Sequence, residues 1–122
     1  MAFKHIRRKY VRLTGREALT LERMVSGYKW VMRGKLTHID KVRNENVRKI
    51  ISEQLSKSKV IRFTRLMSKT VKVMPGVIEF HLTQIQLDHC LQVVNDMVYR
   101  GFYKTIQAKV LQAKIQRVAL AK

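Results

Sequence analysis

The densest group of side chains that could do chemistry is the run Asp88-His89-Cys90, with Glu79 and His81 just upstream. These residue types act as nucleophiles, as proton carriers and as metal ligands. Three consecutive residues of a helix point about 100° apart, so the run does not converge on one atom. His81 and His89 would lie about 12 Å apart along a helix, whereas structural zinc sites use closely spaced ligand pairs. The sequence therefore predicts no catalytic site, no metal site and no cofactor.

Other enzyme signatures are also missing from the sequence. There is no Gly-x-Ser-x-Gly elbow, no glycine-rich phosphate loop and no His-Glu-x-x-His motif. Cys90 is the only cysteine, which excludes an intrachain disulfide. It falls on an apolar stripe and is interpreted as a small buried hydrophobic residue. We therefore expect that the protein is not an enzyme.

Positive charge is the dominant feature of the 122-residue chain. There are 26 Lys and Arg against 8 Asp and Glu, which gives a net charge of +18. Residues 1–16, 54–78 and 97–122 each carry six Lys or Arg and no acid, whereas residues 79–96 carry three acids and no Lys or Arg. Such an excess destabilises a compact monomer unless a polyanion neutralises it. The three basic blocks are therefore expected to face an anionic partner, with 79–96 as the innermost segment.

Two of the basic blocks supply the candidate phosphate-binding residues, because Arg and Lys pair strongly with phosphate oxygens. The predicted RNA-binding residues are Lys4, Arg7, Arg8, Lys9, Arg12 and Arg16 in the first block, and Lys57, Lys59, Arg62, Arg65, Lys69 and Lys72 in the second.

Aromatic residues lie beside several of these cations, and aromatic rings can stack on unpaired bases. Core packing is the better interpretation for Tyr28, Phe63 and Phe80. For Tyr10 and Trp30, stacking and packing remain equally open.

The pattern of apolar residues predicts an all-α domain of four to five helices. Thr14 and Glu17 form a capping-box pattern at the start of the first helix, and Gly34 is a candidate for its end. Thr37 is the expected cap of the second helix, and the third begins near Thr83. The segment 60–74 fits either a helix or a strand, and a short helix followed by an extended piece is favoured.

The domain organisation follows from these elements. Residues 1–13 are predicted to be a basic extended N-terminal arm, and 14–122 a single helical domain. No internal repeat is found at the periods of 20–50 residues typical of repeat proteins. The last helix, about 103–121, has an apolar strip on each of two sides, which predicts an outward-facing helix that also contacts neighbouring proteins.

These features favour a structural RNA-binding component of a large ribonucleoprotein, such as a ribosomal protein that binds rRNA. The richness in aliphatic residues points to a mitochondrial ribosome. The alternatives are a basic accessory subunit of an inner-membrane respiratory complex and a DNA-binding architectural protein. The arm could also be an uncleaved targeting signal. No apolar run approaches the ~18 residues of a membrane span, so none is expected.

Overall fold

The computed structural model describes residues 7–57, 62–66, 69–73, 76–103 and 105–121, and over 62–66 and 69–73 it describes the backbone. Within these ranges the chain forms four helices and four strands. In chain order they are β1 (Arg8–Thr14), α1 (Gly15–Val31), α2 (His38–Lys57), β2 (Arg62–Leu66), β3 (Lys69–Val73), β4 (Val77–Thr83), α3 (Gln84–Tyr99) and α4 (Ile106–Leu120).

The strands β1 and β4 form an antiparallel two-stranded sheet, which we call the ribbon. Its residues alternate between a buried side and an exposed side, as the period of a β-strand requires. Val11, Leu13, Phe80 and Leu82 point inward and are fully buried. The ribbon therefore covers one side of the helical core with one face and presents the other to solvent.

Both strands of the ribbon run directly into a helix through the same capping arrangement. Thr14 caps α1: its hydroxyl accepts from the Glu17 N–H, and the Glu17 carboxylate accepts from the Thr14 N–H at 2.8 Å. Thr83 and Gln86 repeat this at the start of α3. Each arrangement satisfies backbone donors that the first turn would otherwise leave unpaired.

The second helices begin after turns that contain a glycine. Gly34 and Gly101 each have φ of 79°, a left-handed conformation that only glycine adopts without strain. Thr37 then caps α2, with Asp40 completing the reciprocal pair, and Thr105 caps α4. The predicted caps Thr14 and Thr37 are confirmed, and α3 begins at Gln84, next to its predicted start near Thr83.

The molecule is therefore built from two similar βαα units, β1-α1-α2 and β4-α3-α4. Thr14 and Thr83, the two capping threonines, lie 69 residues apart. At this offset Val11 and Phe80 are equivalent, and they also face each other at the centre of the ribbon. The pairing is consequently symmetric about that point, as a two-fold axis through the centre of the ribbon would require.

Burial repeats between the units as well. Five buried positions of α1, from Ala18 to Tyr28, match buried positions of α3 at the same offset, whereas Gly15, Glu17 and His89 have no buried equivalent. The buried positions of α2 and α4 share one spacing: Asn44, Val47, Ile51 and Leu55 in α2, and Ala108, Leu111, Ile115 and Ala119 in α4. Identity between the units over 8–31 and 77–100 is limited to Leu13/Leu82, Thr14/Thr83 and Val25/Val94. The two units therefore share structure and much of their burial pattern but little sequence. Their spacing of 69 residues exceeds the periods of 20–50 residues that are typical of repeat proteins.

The expectation of an all-α fold is confirmed in its coarse form, since the described chain is mainly helical, but it omitted the strands. The short helix favoured within 60–74 was wrong, because β2 and β3 occupy 62–66 and 69–73 and pair antiparallel. Residues 8–13 of the expected arm are extended, but they form β1 and contribute Val11 and Leu13 to the core. Residues 1–6 lie outside the described chain.

The expected two-sided character of the last helix is present in α4. One side packs into the core through Leu111 and Ile115, whereas Ile106, Val110 and Leu120 are exposed on the other. The segment 79–96 supplies buried residues of β4 and α3, but Leu91 within it is only partly buried.

Two isoleucines of α4 allow a matched test of this packing. Ile115 is 1% exposed and Ile106 is 81% exposed. Ile115→Ala should lower the free energy of unfolding by about 2–5 kcal/mol because it leaves a cavity in the core. Ile106→Ala should change it by less than about 0.5 kcal/mol. Urea denaturation followed by circular dichroism would measure both, and equal losses would contradict the assignment of the two faces.

Candidate nucleic-acid interface

The exposed side of the ribbon is the candidate functional site, and we call it the ribbon face. It consists of Arg8, Tyr10 and Arg12 from β1 and of Val77, Glu79 and His81 from β4. Tyr10 is 58% exposed and the Arg12 side chain 78%. A rigid scaffold thus presents guanidinium, carboxylate, imidazole and phenol groups on one surface.

Cross-strand contacts position the side chains of the ribbon face. Arg12 Nε donates to Glu79 Oε2 at 3.0 Å, and His81 Nε2 lies 3.2 Å from Glu79 Oε1. The Arg12 hydrogen bond holds the pKa of the Glu79 carboxyl below its ordinary value. Tyr10 lies edge-on to the His81 ring, with centroids 4.5 Å apart. Arg12 lies opposite Glu79 and Tyr10 lies opposite His81 in the register, where cross-strand pairs stabilise a sheet. The His81–Glu79 contact joins two residues of β4 on the same face.

The outer edge of β4 is occupied by a side chain of α2. Gln54 Nε2 donates to the His81 carbonyl, and the His81 N–H donates to Gln54 Oε1, each at 2.8 Å. The amide thereby satisfies both backbone groups of His81, as a third strand would. This contact fixes α2 against the ribbon and holds His81 in place.

A groove runs along each side of the ribbon. The groove beside β1 is lined by Tyr10, Arg12, Lys114 and Arg117, with α4 as its wall. Lys114 donates to the buried carboxylate of Glu17 at 2.7 Å. Burial by itself would raise the pKa of Glu17, but the bonds from Lys114 and from the Thr14 N–H outweigh it and lower the pKa.

The groove beside β4 is lined by residues of both charges from α2. It includes Glu53 and Lys57, whose side chains form an ion pair at 2.9 Å, together with Gln54 and His81. The two grooves therefore differ in charge, and the one beside α4 is the more basic.

The structure brings only part of the predicted phosphate-binding set together. Arg7 and Arg8 are exposed at the start of β1, Arg12 lies on the ribbon face, and Arg16 is exposed on the first turn of α1. Lys57 ends α2 and is paired with Glu53.

Lys9 has a different role from its neighbours in β1. Its Nζ donates to the carbonyl of Val118 at 3.2 Å and to that of Ala121. These carbonyls belong to the end of α4, where cations stabilise a helix. Lys9 therefore holds α4 against β1 instead of facing a partner.

The remaining predicted residues fall outside this description. Lys4 and Lys59 are outside the described residues, and the structure describes only the backbone at Arg62, Arg65, Lys69 and Lys72, in β2 and β3.

The aromatic residues whose side chains are described fall into a buried group and an exposed group. Tyr28 and Phe80 are fully buried, which confirms core packing for both. Trp30 is 68% exposed at the end of α1, and Lys29 Nζ lies 5.5 Å from its ring centroid. Tyr10 belongs to the ribbon face.

His89 and Cys90, the residues that first suggested chemistry, are both part of the core. Cys90 is fully buried, and burial raises the pKa of its thiol to about 12. His89 Nε2 lies 2.8 Å from Asn44 Oδ1, and Asn44 Nδ2 donates to the Val25 carbonyl at 3.1 Å. A thiol that stays protonated and a histidine committed to this network are structural groups.

Neither a metal site nor a membrane span is indicated within the described residues. No group of three His, Cys, Asp or Glu in that part of the chain could hold a metal ion. None of its helices is long and apolar enough to cross a bilayer.

Sequence reasoning missed Tyr10, Glu79 and His81 as members of one surface. The alternation of polar and apolar residues over 8–13 and 77–82 was a usable signal for two half-buried strands. Their pairing joins segments 69 residues apart, which no local pattern specifies.

Comparison of the chain with protein-family models, with curated proteins and with solved structures finds no match. The geometry of the ribbon face is therefore the basis for a functional assignment.

His89 makes stability depend on pH in a defined direction. Burial lowers its pKa from the ordinary value of 6.5, the nearby Arg43 lowers it further, and Asp40 partly opposes this. The unfolded chain therefore binds this proton at a higher pH than the folded chain does. The contribution is complete above pH 6.5 and is lost as the pH falls below that value.

We expect the free energy of unfolding to fall between pH 6.5 and pH 5 by no more than about 1.4 kcal/mol per pH unit for this one group. His89→Gln should flatten this slope, and His38→Gln, which removes an exposed ring, should not. Urea midpoints across the pH series would measure it. A slope that survives His89→Gln would show that another group is responsible.

Proposed function

We propose that the protein binds double-stranded DNA by placing the ribbon in the major groove. The observation that carries this proposal is a two-stranded antiparallel ribbon whose exposed face bears side chains able to contact base edges. The major groove of B-DNA is about 12 Å wide and admits a two-stranded β-ribbon. Neighbouring strands lie about 4.8 Å apart, which leaves room for the outward side chains.

The chemistry of the ribbon face fits base recognition better than simple charge neutralisation. Arginine can donate two hydrogen bonds to the O6 and N7 atoms of guanine, and Arg8 and Arg12 are both exposed there. A carboxylate can accept from the N4 amino group of cytosine, and Glu79 is exposed on the ribbon face. A surface that bound phosphate alone would gain nothing from a carboxylate beside its arginines.

The Arg12–Glu79 ion pair is compatible with this role. Both side chains are partly exposed, at 78% and 39%, and exposed ion pairs contribute only about 0–1 kcal/mol. Either group can therefore be redirected to a base at little cost. In the absence of DNA, the ion pair holds the Arg12 and Glu79 side chains on the ribbon face.

The remaining positive charge supports binding that does not depend on sequence. A net charge of +18 attracts the DNA backbone and releases its counterions. Arg7, Arg16 and Arg117 are exposed around the ribbon, where phosphates beside the groove would lie. Arg16 stands in the first turn of α1, where the helix dipole disfavours a cation, so an external anion is a reasonable partner for it.

A second candidate function is the RNA-binding component of a large ribonucleoprotein, such as a mitochondrial ribosome. The observation that favours it is the exposed ring of Trp30 with Lys29 beside it. Stacking of unpaired bases on aromatic rings is common in RNA recognition. The exposed side of α4 could then contact a neighbouring protein of the particle.

The two candidates differ in the nucleic acid they require. The major groove of A-form RNA is deep and narrow, and side chains cannot read it. A ribbon reader should therefore discriminate strongly between DNA and RNA duplexes, whereas a protein that relies on phosphates and stacking should bind single-stranded RNA at least as well.

The test is fluorescence anisotropy of the full chain with labelled duplex DNA, duplex RNA and single-stranded RNA of equal length across a salt series. We expect preference for duplex DNA. Arg8→Gln and Arg12→Gln should each weaken binding to a preferred sequence by about 5–150-fold, because each bidentate arginine–guanine contact is worth about 1–3 kcal/mol. Deletion of residues 1–12 is unsuitable, because it removes most of β1 and the buried Val11.

Lys49→Gln is the matched control for charge. Lys49 is exposed on α2, on the side of the helix opposite the buried Val47 and Ile51, so it should leave sequence preference unchanged. Equal affinity for DNA and RNA duplexes would argue against the ribbon. Tight binding to single-stranded RNA that is lost in Trp30→Ala would favour the ribonucleoprotein instead. Binding to none of the three nucleic acids would favour a protein or lipid partner, as in an accessory subunit of a respiratory complex.

A further inference from the structure

We propose that the DNA sequence read by the ribbon is non-palindromic, with guanines contacted by β1 and a different base pattern contacted by β4. This inference rests on the proposed function. It follows from a mismatch within the molecule: the backbone of the ribbon is two-fold symmetric, whereas its exposed side chains are not.

The symmetry of the backbone is documented by the register. Arg8 pairs with Thr83 and Val77 pairs with Thr14, and each pair maps onto the other at the 69-residue offset. The centre of the ribbon lies at the Val11–Phe80 pair. Both strands end in a capping threonine and pass into a helix at the same point. A symmetric backbone would place equivalent residues against equivalent positions of two DNA half-sites.

The side chains at these equivalent positions differ in every outward pair between the caps. Arg8 corresponds to Val77, Tyr10 to Glu79, and Arg12 to His81. All six are on the exposed side of the ribbon. The inward positions behave differently, because Val11, Leu13, Phe80 and Leu82 are apolar and fully buried. The inward pairs Val11/Phe80 and Leu13/Leu82 are thus both apolar, Lys9/Ile78 departs from this pattern, and every outward pair between the caps differs.

Different groups at equivalent positions must read different bases. In symmetric dimers the palindrome of the DNA site mirrors the two-fold axis of the protein. Here Arg8 and Arg12 can each donate two bonds to guanine, whereas Val77 can donate none and offers an apolar contact of the kind that suits a thymine methyl group. Glu79 accepts hydrogen bonds, which suits the amino group of cytosine. Arg8 lies on one side of the central Val11–Phe80 pair and Arg12 on the other, at positions that the two-fold axis does not relate. Each half-site should therefore hold one arginine–guanine contact, at a different distance from the centre in the two halves.

The experiment is selection of duplexes with a randomised core by the full chain, followed by sequencing. The wild-type protein should enrich a motif without two-fold symmetry, with guanines at positions that the two-fold axis does not relate. A symmetrised variant, Val77→Arg/Glu79→Tyr/His81→Arg, carries the β1 residues on both strands. It should enrich a palindrome made of two guanine-rich halves and bind that palindrome at least about tenfold tighter than the wild type does, because it gains two arginine–guanine contacts.

The outcomes separate this inference from the proposed function. A palindromic motif from the wild type would overturn the inference and leave the proposed function standing. Failure of any duplex DNA motif to enrich would overturn both. Because the triple variant changes exposed residues, a cooperative thermal transition like that of the wild type checks its fold. If that check fails, the single variant His81→Arg serves: it should shift base preference only at the position read by β4, and an unchanged motif would contradict the inference.

Discussion

The pairing of β1 with β4 is the interaction on which the rest of the structure depends. It joins the beginning of one βαα unit to the beginning of the other and covers the core that their helices form. The polar contacts described above reinforce this union. Lys9 of the first unit binds the end of α4, and Gln54 of α2 binds the backbone of His81 in β4.

Similar links cross deeper in the molecule. Glu17 of α1 binds Lys114 of α4, and Tyr28 of α1 donates to Asp96 of α3. Burial and this bond raise the pKa of Tyr28 to about 12, so the phenol remains a donor. Each of these links spans the boundary between the two units. These contacts join the two units, and the geometry of the ribbon face depends on both.

The sequence predicted the helical part of the fold because its signals are local. Thr14 with Glu17 and Thr37 with Asp40 act within one turn and were predicted correctly as caps, and the start of α3 near Thr83 was also predicted. β1 was interpreted as an arm because its cations outweighed the alternation that buries Val11 and Leu13. The hairpin of β2 and β3 was missed because short segments with mixed patterns fit helix and strand equally well.

The candidate site was only partly predictable, for a related reason. The charge of Arg8 and Arg12 made them candidate contact residues from the sequence alone. The sequence could not show that the Lys9 side chain turns inward to α4. That orientation follows from the strand conformation of β1, in which successive side chains point to opposite faces. Glu79 and His81 became part of the same surface only through pairing with Arg12 and Tyr10.

The presence of both βαα units in one polypeptide has a consequence for assembly. If the two units were separate chains that paired through such a ribbon, folding would be coupled to dimerisation. Their stability would then depend on protein concentration. Here the segment between α2 and β4 tethers the partners, which replaces a bimolecular encounter with closure at a high effective concentration. The folded ribbon should therefore persist at a few copies per cell. Each unit is also free to diverge, because a mutation changes only one of the two units, whereas in a homodimer it would change both.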